Sequence, residues 1–268
     1  MPVIDLRLKS QSALSRSSRL ARFKSLSVAV FAAGLAVQHS AFAAHPLQTE
    51  DTGTQGVGNI EIENGLLWLH DGDTRSFVYQ PQFSYGVLPV LDLIVQPSFQ
   101  RAHEVGEEGH SGFGDSNLDV KWRFYGSAPW SLGVRAGVQF ATATHASGLP
   151  HGTVATHEVL VLTYDEAPVT VYGNLGWVQN PSSSDQRRQL LSTSTALLWT
   201  ANEHLILTAE LAAGSNPDPH HGDWPATTLA GLIWTIVPGL DSDLGYEIGL
   251  QQPASRQWLA GLTYRFAY

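Results

Sequence analysis

Histidine and carboxylate side chains lie close together in the segment His220-His221-Gly222-Asp223. Imidazole nitrogens and carboxylate oxygens are ligands that suit zinc and copper(II). One histidine pair with an aspartate two positions further on is a weak metal motif, because structural zinc sites use four ligands at recurring spacings. We therefore keep a metal-capture site at His220, His221 and Asp223 as an alternative, and we expect no resident metal or other cofactor.

Ester hydrolysis is a second chemistry for which the residue types are present. A serine hydrolase needs a serine, a histidine and an orienting carboxylate within hydrogen-bond reach. His157 and Glu158 with Ser192 or Ser194 supply those types, but the chain has no Gly-x-Ser-x-Gly turn. The sequence therefore predicts that the protein is not an enzyme, and a hydrolase is kept as an alternative.

Charged residues alternate with apolar ones in several segments. In residues 117–124, Asp119, Lys121 and Arg123 alternate with leucine, valine and aromatic side chains. A period of two places the two sets on opposite faces of a β-strand. Ten charged residues fall on the polar faces of such segments: Glu61, Glu63, Asp92, Asp119, Lys121, Arg123, Arg135, Glu210, Glu247 and Arg265.

The C-terminal residues 258–268 show which face of these strands meets lipid. Trp258, Leu262, Tyr264, Phe266 and Tyr268 share one side of this segment, together with Ala260. A transmembrane barrel strand needs such a row, because its outer face contacts lipid and its inner face contacts water or other side chains. The ten charged residues are accordingly predicted to line a lumen, either as a charge-selective constriction or as a salt-bridged filling.

Twelve segments read as strands, and most are about ten residues long, as a tilted strand crossing a bilayer requires. Pro81 and Pro97 lie inside two of them and predict a bulge or a lost hydrogen bond. Short connections alternate with longer ones, which predicts periplasmic turns and external loops. The predicted strands are 59–70, 74–88, 91–104, 116–126, 131–143, 154–165, 169–179, 189–201, 204–215, 226–237, 242–251 and 257–268.

These strands predict an all-β fold, a transmembrane antiparallel up-and-down β-barrel of about twelve strands. A soluble β-sandwich or lipocalin-like barrel is the alternative, with its apolar face turned inward. Seven tryptophans are predicted to lie near the two ends of the barrel, as in the aromatic girdles at the two membrane–water interfaces. Near the outer end we expect Trp68, Trp177, Trp224 and Trp258, and near the periplasmic end Trp130, Trp199 and Trp234.

The N-terminus predicts secretion. Six Lys and Arg residues precede a short apolar run over 26–37, and Ala41-Phe42-Ala43 fits a small-x-small cleavage site. We expect residues 1–43 to be a signal peptide, 44–58 a periplasmic segment and 59–268 the barrel. The remaining chain has nine basic and 23 acidic residues, a formal charge of −14. This charge argues against a nucleic-acid partner and favours neutral or cationic solutes over anions.

Two segments resemble a Gram-negative family known as "MetA-pathway of phenol degradation". They are His45-Pro-Leu-Gln-Thr-Glu-Asp-Thr-Gly-Thr-Gln-Gly56 and Gly112-Phe-Gly-Asp-Ser-Asn-Leu-Asp-Val-Lys-Trp-Arg-Phe-Tyr125. The family motif falls on Gly112, Gly114 and Asp115, and the resemblance spans residues 45–268. It implies an outer-membrane barrel with a role in the passage of small, aromatic or hydrophobic compounds. It implies no catalytic residues.

The sequence therefore predicts a passive channel in the outer membrane of a Gram-negative bacterium. The expected partners are the lipid bilayer, the barrel-assembly machinery through the C-terminal strand, and a small solute of unknown identity. A structural or surface-adhesive barrel without transport is the main alternative, and a metal-capturing barrel is another.

Overall fold

The computed structural model describes residues 45–106, 109–143, 154–182 and 186–266. The predicted signal peptide and the last aromatic residue, Tyr268, lie outside the described residues. The described part contains fourteen β-strands and no α-helix. None of the described residues forms a helix of the length and hydropathy that a membrane crossing requires.

The strands follow the predicted segments closely. Their bounds are β1 (Ile60–Asp71), β2 (Thr74–Leu88), β3 (Leu91–Gln96), β4 (Phe99–Glu104), β5 (His110–Phe113), β6 (Ser116–Ser127), β7 (Trp130–Phe140), β8 (Ala155–Glu166), β9 (Val169–Gln179), β10 (Gln189–Thr200), β11 (Leu205–Gly214), β12 (Ala226–Val237), β13 (Leu240–Gly249) and β14 (Arg256–Phe266).

The sheet closes on itself, because β1 pairs with β2 on one side and with β14 on the other. Every pairing is antiparallel, and neighbours in the chain are neighbours in the wall. The strands β3 and β4 are two parts of one wall strand, and β5 and β6 are two parts of the next. The structure thus confirms the predicted all-β, antiparallel up-and-down barrel of twelve strands.

One wall strand is interrupted at Pro97, where the sequence predicted a bulge or a lost hydrogen bond. The strand β3 ends before Pro97 and β4 begins after Ser98, whereas Pro81 lies within β2 with no shift of register against β1. The opposite break lies at Gly114 and Asp115, and the Gly114 N–H donates to the Ser98 carbonyl over 3.0 Å. The strand β5 falls in a segment that we expected to be a loop, and among the described residues it pairs only with β4.

The barrel has an apolar exterior. On β14, Trp258, Leu262 and Tyr264 are 52%, 43% and 42% exposed, while Leu259 between them is buried. This arrangement is the reverse of a soluble barrel, whose large apolar side chains fill the inside. The prediction that apolar side chains face outward is therefore confirmed. Trp122, which we did not assign to either end, is also exposed and pairs with Leu91 at the start of β3.

The two ends of the barrel differ. Short turns join β2 to β3, β6 to β7, β8 to β9, β10 to β11 and β12 to β13, and the start of β1 and the end of β14 lie at this same end. We call it the turn end, and we call the opposite end, which has the longer connections and the short turn between β1 and β2, the loop end.

Candidate functional site

Residues 45–56, which we call the luminal segment, run through the inside of the barrel. The His45 ring contacts Asp243 on β13, and the Thr52 hydroxyl lies 2.5 Å from the Ser131 hydroxyl on β7. Since β13 and β7 lie six wall strands apart, these contacts join opposite walls. We expected residues 44–58 to be a periplasmic segment, and this placement is wrong for residues 45–56.

The backbone of the luminal segment is held by side chains of the wall. The N–H groups of Gln48 and Thr49 donate to one carboxylate oxygen of Glu210, over 2.8 and 2.9 Å. The Glu50 N–H donates to the Asn174 amide oxygen over 2.6 Å, and the Asn174 amide nitrogen donates back to the Glu50 carbonyl over 2.9 Å. Buried backbone groups need such partners, so inward polar side chains allow a chain without a sheet neighbour to remain inside.

Glu50 joins the luminal segment to a buried group of charges. Its carboxylate oxygens accept hydrogen bonds from the Lys121 ammonium over 2.7 Å and from the Arg135 guanidinium over 2.6 Å. Arg135 also donates two bonds to Asp119, over 2.8 and 2.6 Å, and Asp119 lies 2.9 Å from Nε2 of His157. We call Glu50, Asp119, Lys121, Arg135 and His157 the luminal charge cluster.

Further inward carboxylates accept hydrogen bonds from the luminal segment. The Gln55 N–H donates to Asp92, and its amide nitrogen donates to Glu61 over 2.7 Å. The Gln48 amide nitrogen contacts Glu247. These wall carboxylates act as hydrogen-bond acceptors for the segment, in addition to any effect that they have on a solute.

An apolar patch on the inner wall receives Leu47. This side chain is 3% exposed and packs with four buried wall residues and several half-buried ones. Burying a leucine is worth about 1.5–3 kcal/mol relative to leaving it exposed, so the contact stabilises the segment inside the barrel. The wall residues of this apolar patch are Leu67, Tyr172, Ala196, Leu198, Ile206, Leu229, Ile233 and Leu259.

Glycines leave room for the start of the segment. Gly65 on β1 faces Gly261 on β14, and a Cβ at either position would come within 3.0 Å of the His45 ring. Gly231 and Gly245 are paired in the same way beneath Pro46, at 3.0 and 2.9 Å. The wall is therefore thinned where the segment approaches it most closely.

The ten charged residues predicted to line the lumen all lie on inward faces or at the turn end. Eight are at most 9% exposed, and those eight are Glu61, Glu63, Asp92, Asp119, Lys121, Arg135, Glu210 and Glu247. Arg265 bonds Glu61 over 2.6 Å and also contacts Asp241 near the turn end. Arg123 is the most loosely held, since one guanidinium nitrogen lies 3.4 Å from the Pro89 carbonyl in an exposed position.

The motif residues Gly112, Gly114 and Asp115 lie where β5 gives way to β6. A Cβ on Gly114 would lie 2.3 Å from the Ser98 hydroxyl, so the break in both wall strands needs a glycine there. The Asp115 carboxylate accepts hydrogen bonds from Gln139 over 2.9 Å and from the Ala143 N–H over 3.2 Å. These contacts tie the break to β7 and to the residues that follow it.

The structure does not bring His220, His221 and Asp223 together as ligands. Asp223 accepts from the Asn216 amide over 3.0 Å, and the His221 ring lies 2.9 Å from Asp218. The Asp218 carboxylate also accepts the His220 N–H, and this hydrogen bond, with the His221 ring, lowers the pKa of Asp218. Within the described ranges, no three His, Asp or Glu side chains are placed to hold a metal ion.

The residues of the hydrolase alternative are also separated. His157 faces inward, whereas the next residue, Glu158, falls on the opposite face of β8. Ser192 and Ser194 lie on β10, with β9 between them and β8. Two strand spacings amount to about 10 Å, which is too far for the hydrogen bond that a nucleophile and its base require.

Comparison with known proteins identifies the fold alone. No family model matches the chain, and no curated protein matches it. Among solved structures, an outer membrane channel from Pseudomonas putida F1 superimposes with a TM-score of 0.63 at 13% identity, covering 81% of this chain and 98% of the channel. The NanC porin gives 0.55 at 10% identity, with 76% and 98% covered. The CymD monoaromatic hydrocarbon channel gives 0.50 at 10% identity, with 81% and 90% covered.

Proposed function

We propose that the protein is an outer-membrane channel through which small solutes pass down their gradients, with the luminal segment narrowing the path. One observation carries this proposal: a closed barrel with an apolar outside and a charged inside is crossed by a single stretch of chain. Barrels of this architecture span bacterial outer membranes, and the structural neighbours are described as porins and channels. Insertion would use the barrel-assembly machinery, with the C-terminal strand β14 as its recognised element.

The solute that the inner wall favours is small and apolar or aromatic. Leu198, Leu229 and Leu259 form part of an apolar patch around Leu47, and Tyr172 adds an aromatic ring.

 These groups are buried against Leu47, so we infer that a permeating apolar solute takes the place of Leu47 and is bound there by the hydrophobic effect. The resemblance in residues 45–56 and 112–125 implies the same class of compound. We therefore propose small aromatic or other apolar molecules as the substrates.

The test compares the wild-type barrel with a variant that lacks residues 46–55, both reconstituted in planar bilayers and in liposomes. The wild type should conduct weakly and should admit phenol or toluene faster than a charged solute of similar size. Removal of the segment should raise the conductance several-fold, because Leu47, Glu50 and Thr52 no longer cross the lumen. A variant with residues 46–55 replaced by a Gly-Ser stretch of equal length separates the effect of specific contacts from that of chain length.

A structural barrel without transport is the second candidate, and the filled lumen is the observation that favours it. The two functions differ in one outcome. If the wild type admits neither ions nor phenol, and the variant without residues 46–55 is equally sealed, the channel proposal is wrong and the structural function stands. Heat-modifiable mobility on a gel must first show that both proteins are folded.

A further inference from the structure

Five basic side chains form a patch on the outside of the barrel at its loop end. Arg256 on β14 is paired with His70 on β1, His70 with Arg75 on β2, and Arg75 with His103 on β4. Directly paired residues share a face of the sheet, and all four are exposed. Arg101, two residues before His103 on β4, lies on the same face. We call Arg75, Arg101, Arg256, His70 and His103 the loop-end basic patch.

The patch lies directly beyond a row of aromatic side chains. Trp68 pairs with Trp258 on one side and with Phe77 on the other, and the rings of Trp68 and Phe77 are 5.5 Å apart. Along its own strand, each of these three aromatic residues lies two positions further from the loop end than a member of the patch. Aromatic girdles mark the membrane–water interface, so the basic patch is placed at the level of the lipid head groups.

This concentration of positive charge is unusual for an acidic chain. Three of the nine Lys and Arg residues that follow residue 44 are in the patch. No outward position on β7 to β13 carries a lysine or an arginine, and Glu158 is the charged outward residue nearest to the loop end there. The asymmetry indicates that one side of the barrel is adapted to an anionic neighbour.

The patch is also free to bind a ligand. No described carboxylate pairs with Arg101 or Arg256, and Arg75 donates to the His70 ring over 3.0 Å. Among the described carboxylates close to the patch in sequence, Asp73 lies in the turn between β1 and β2, and Asp71 and Glu104 both pair with Thr74 on the inward-facing side of the strands. The guanidinium groups thus keep their capacity for charge-assisted hydrogen bonds.

We propose that the loop-end basic patch binds the phosphate groups of a phosphorylated outer-leaflet glycolipid, lipid A. Arginine forms bidentate hydrogen bonds with phosphate, and basic clusters beside a membrane bind anionic head groups. The row from Arg256 to His103 covers four neighbouring strands, about 14 Å at the usual spacing, which is wide enough for one glycolipid head group. The inference rests on the proposed orientation, with the loop end in the outer leaflet.

The experiment measures the affinity of bisphosphorylated lipid A for the purified full-length mature barrel in detergent. The variant R75Q/R101Q/R256Q should bind at least about tenfold more weakly than the wild type. The variant R188Q, which removes an exposed arginine from a connection on the other side of the barrel, should bind like the wild type. Lipid A without its phosphates should bind the wild-type barrel as weakly as bisphosphorylated lipid A binds the triple variant.

Equal affinity of the triple variant and the wild type would overturn the inference, and so would tight binding of the phosphate-free lipid. An equal loss in R188Q would show that only overall charge matters, which also contradicts a defined site. The three arginines face away from the lumen, so the conductance of the triple variant should match that of the wild type. If the wild type and the variant without residues 46–55 are both sealed, the channel function is therefore refuted without affecting the lipid result.

Discussion

The inward-facing charged side chains of the wall have a partner, Glu50, that the alternation of polar and apolar residues could not identify. The pattern of residues 117–124 placed Asp119 and Lys121 on the inner face, and both lie there, buried. It left open whether they select solutes or fill the lumen. The structure shows that the luminal charge cluster joins the wall to the luminal segment through Glu50, so these charges hold the chain that crosses the lumen.

Replacing Glu50 by glutamine tests this function of the cluster. The variant keeps the shape of the side chain but removes the carboxylate from between Lys121 and Arg135, which are buried. Breaking a buried ion pair costs about 3–5 kcal/mol, and Asp51 and Asp119 compensate in part by remaining close to the two cations. We expect the free energy of unfolding in urea to fall by up to about 3 kcal/mol.

The matched control is Glu203→Gln, since the Glu203 side chain is 88% exposed at the turn end. Exposed charges contribute little to stability, so this variant should unfold like the wild type. If both glutamine variants unfold at the same urea concentration, Glu50 does not hold the luminal segment.

At the scale of elements, the strands were predictable and the luminal segment was not. A strand that faces lipid on one side and polar groups on the other has a period of two in its sequence, and Pro97 marked the break between β3 and β4. The short strand β5 has no such alternation and was missed. Residues 45–56 form no strand, and their partners are wall side chains distant in sequence. The available signal was Leu47, an isolated apolar residue in a polar stretch.

A disulfide between Thr52→Cys and Ser131→Cys tests the position of the luminal segment. The native hydroxyl oxygens are 2.5 Å apart, close enough for a sulfur–sulfur bond to form with little movement. The chain has no cysteine of its own, so the pair has no competitor. We expect both thiols to disappear under oxidising conditions and to return with a reductant, and the oxidised barrel to conduct less than the reduced one.

The control pairs Ser131→Cys with Thr54→Cys. The Thr54 hydroxyl donates to the Pro89 carbonyl, in the turn between β2 and β3, so its thiol should stay free. Two titratable thiols in the Thr52 variant after oxidation would show that the segment does not lie against β7.

At the scale of the whole molecule, charge and apolar surface are divided between regions. Outward positions of the described strands are mostly apolar, and the basic side chains at these positions are concentrated in one patch at the loop end. The interior contains more carboxylates than cations. The two buried cations of the wall, Lys121 and Arg135, both form ion pairs with Glu50. An ion that entered the barrel would therefore experience a negative electrostatic potential. The excess of acidic over basic residues in the sequence predicted the same sign for the chain as a whole.

A barrel that conducts as proposed should consequently prefer cations. In a potassium chloride gradient across a planar bilayer, the reversal potential should have the sign of a barrel more permeable to potassium than to chloride. The preference should weaken between 0.1 M and 1 M salt, because the screening length falls from about 10 Å to about 3 Å. The double variant Glu61→Gln with Asp243→Asn, two buried inward carboxylates, should shift the reversal potential toward zero, whereas Glu166→Gln, exposed at the turn end, should leave it unchanged. Anion preference in the wild type, or equal shifts in both variants, would show that the inward carboxylates do not set the field along the path.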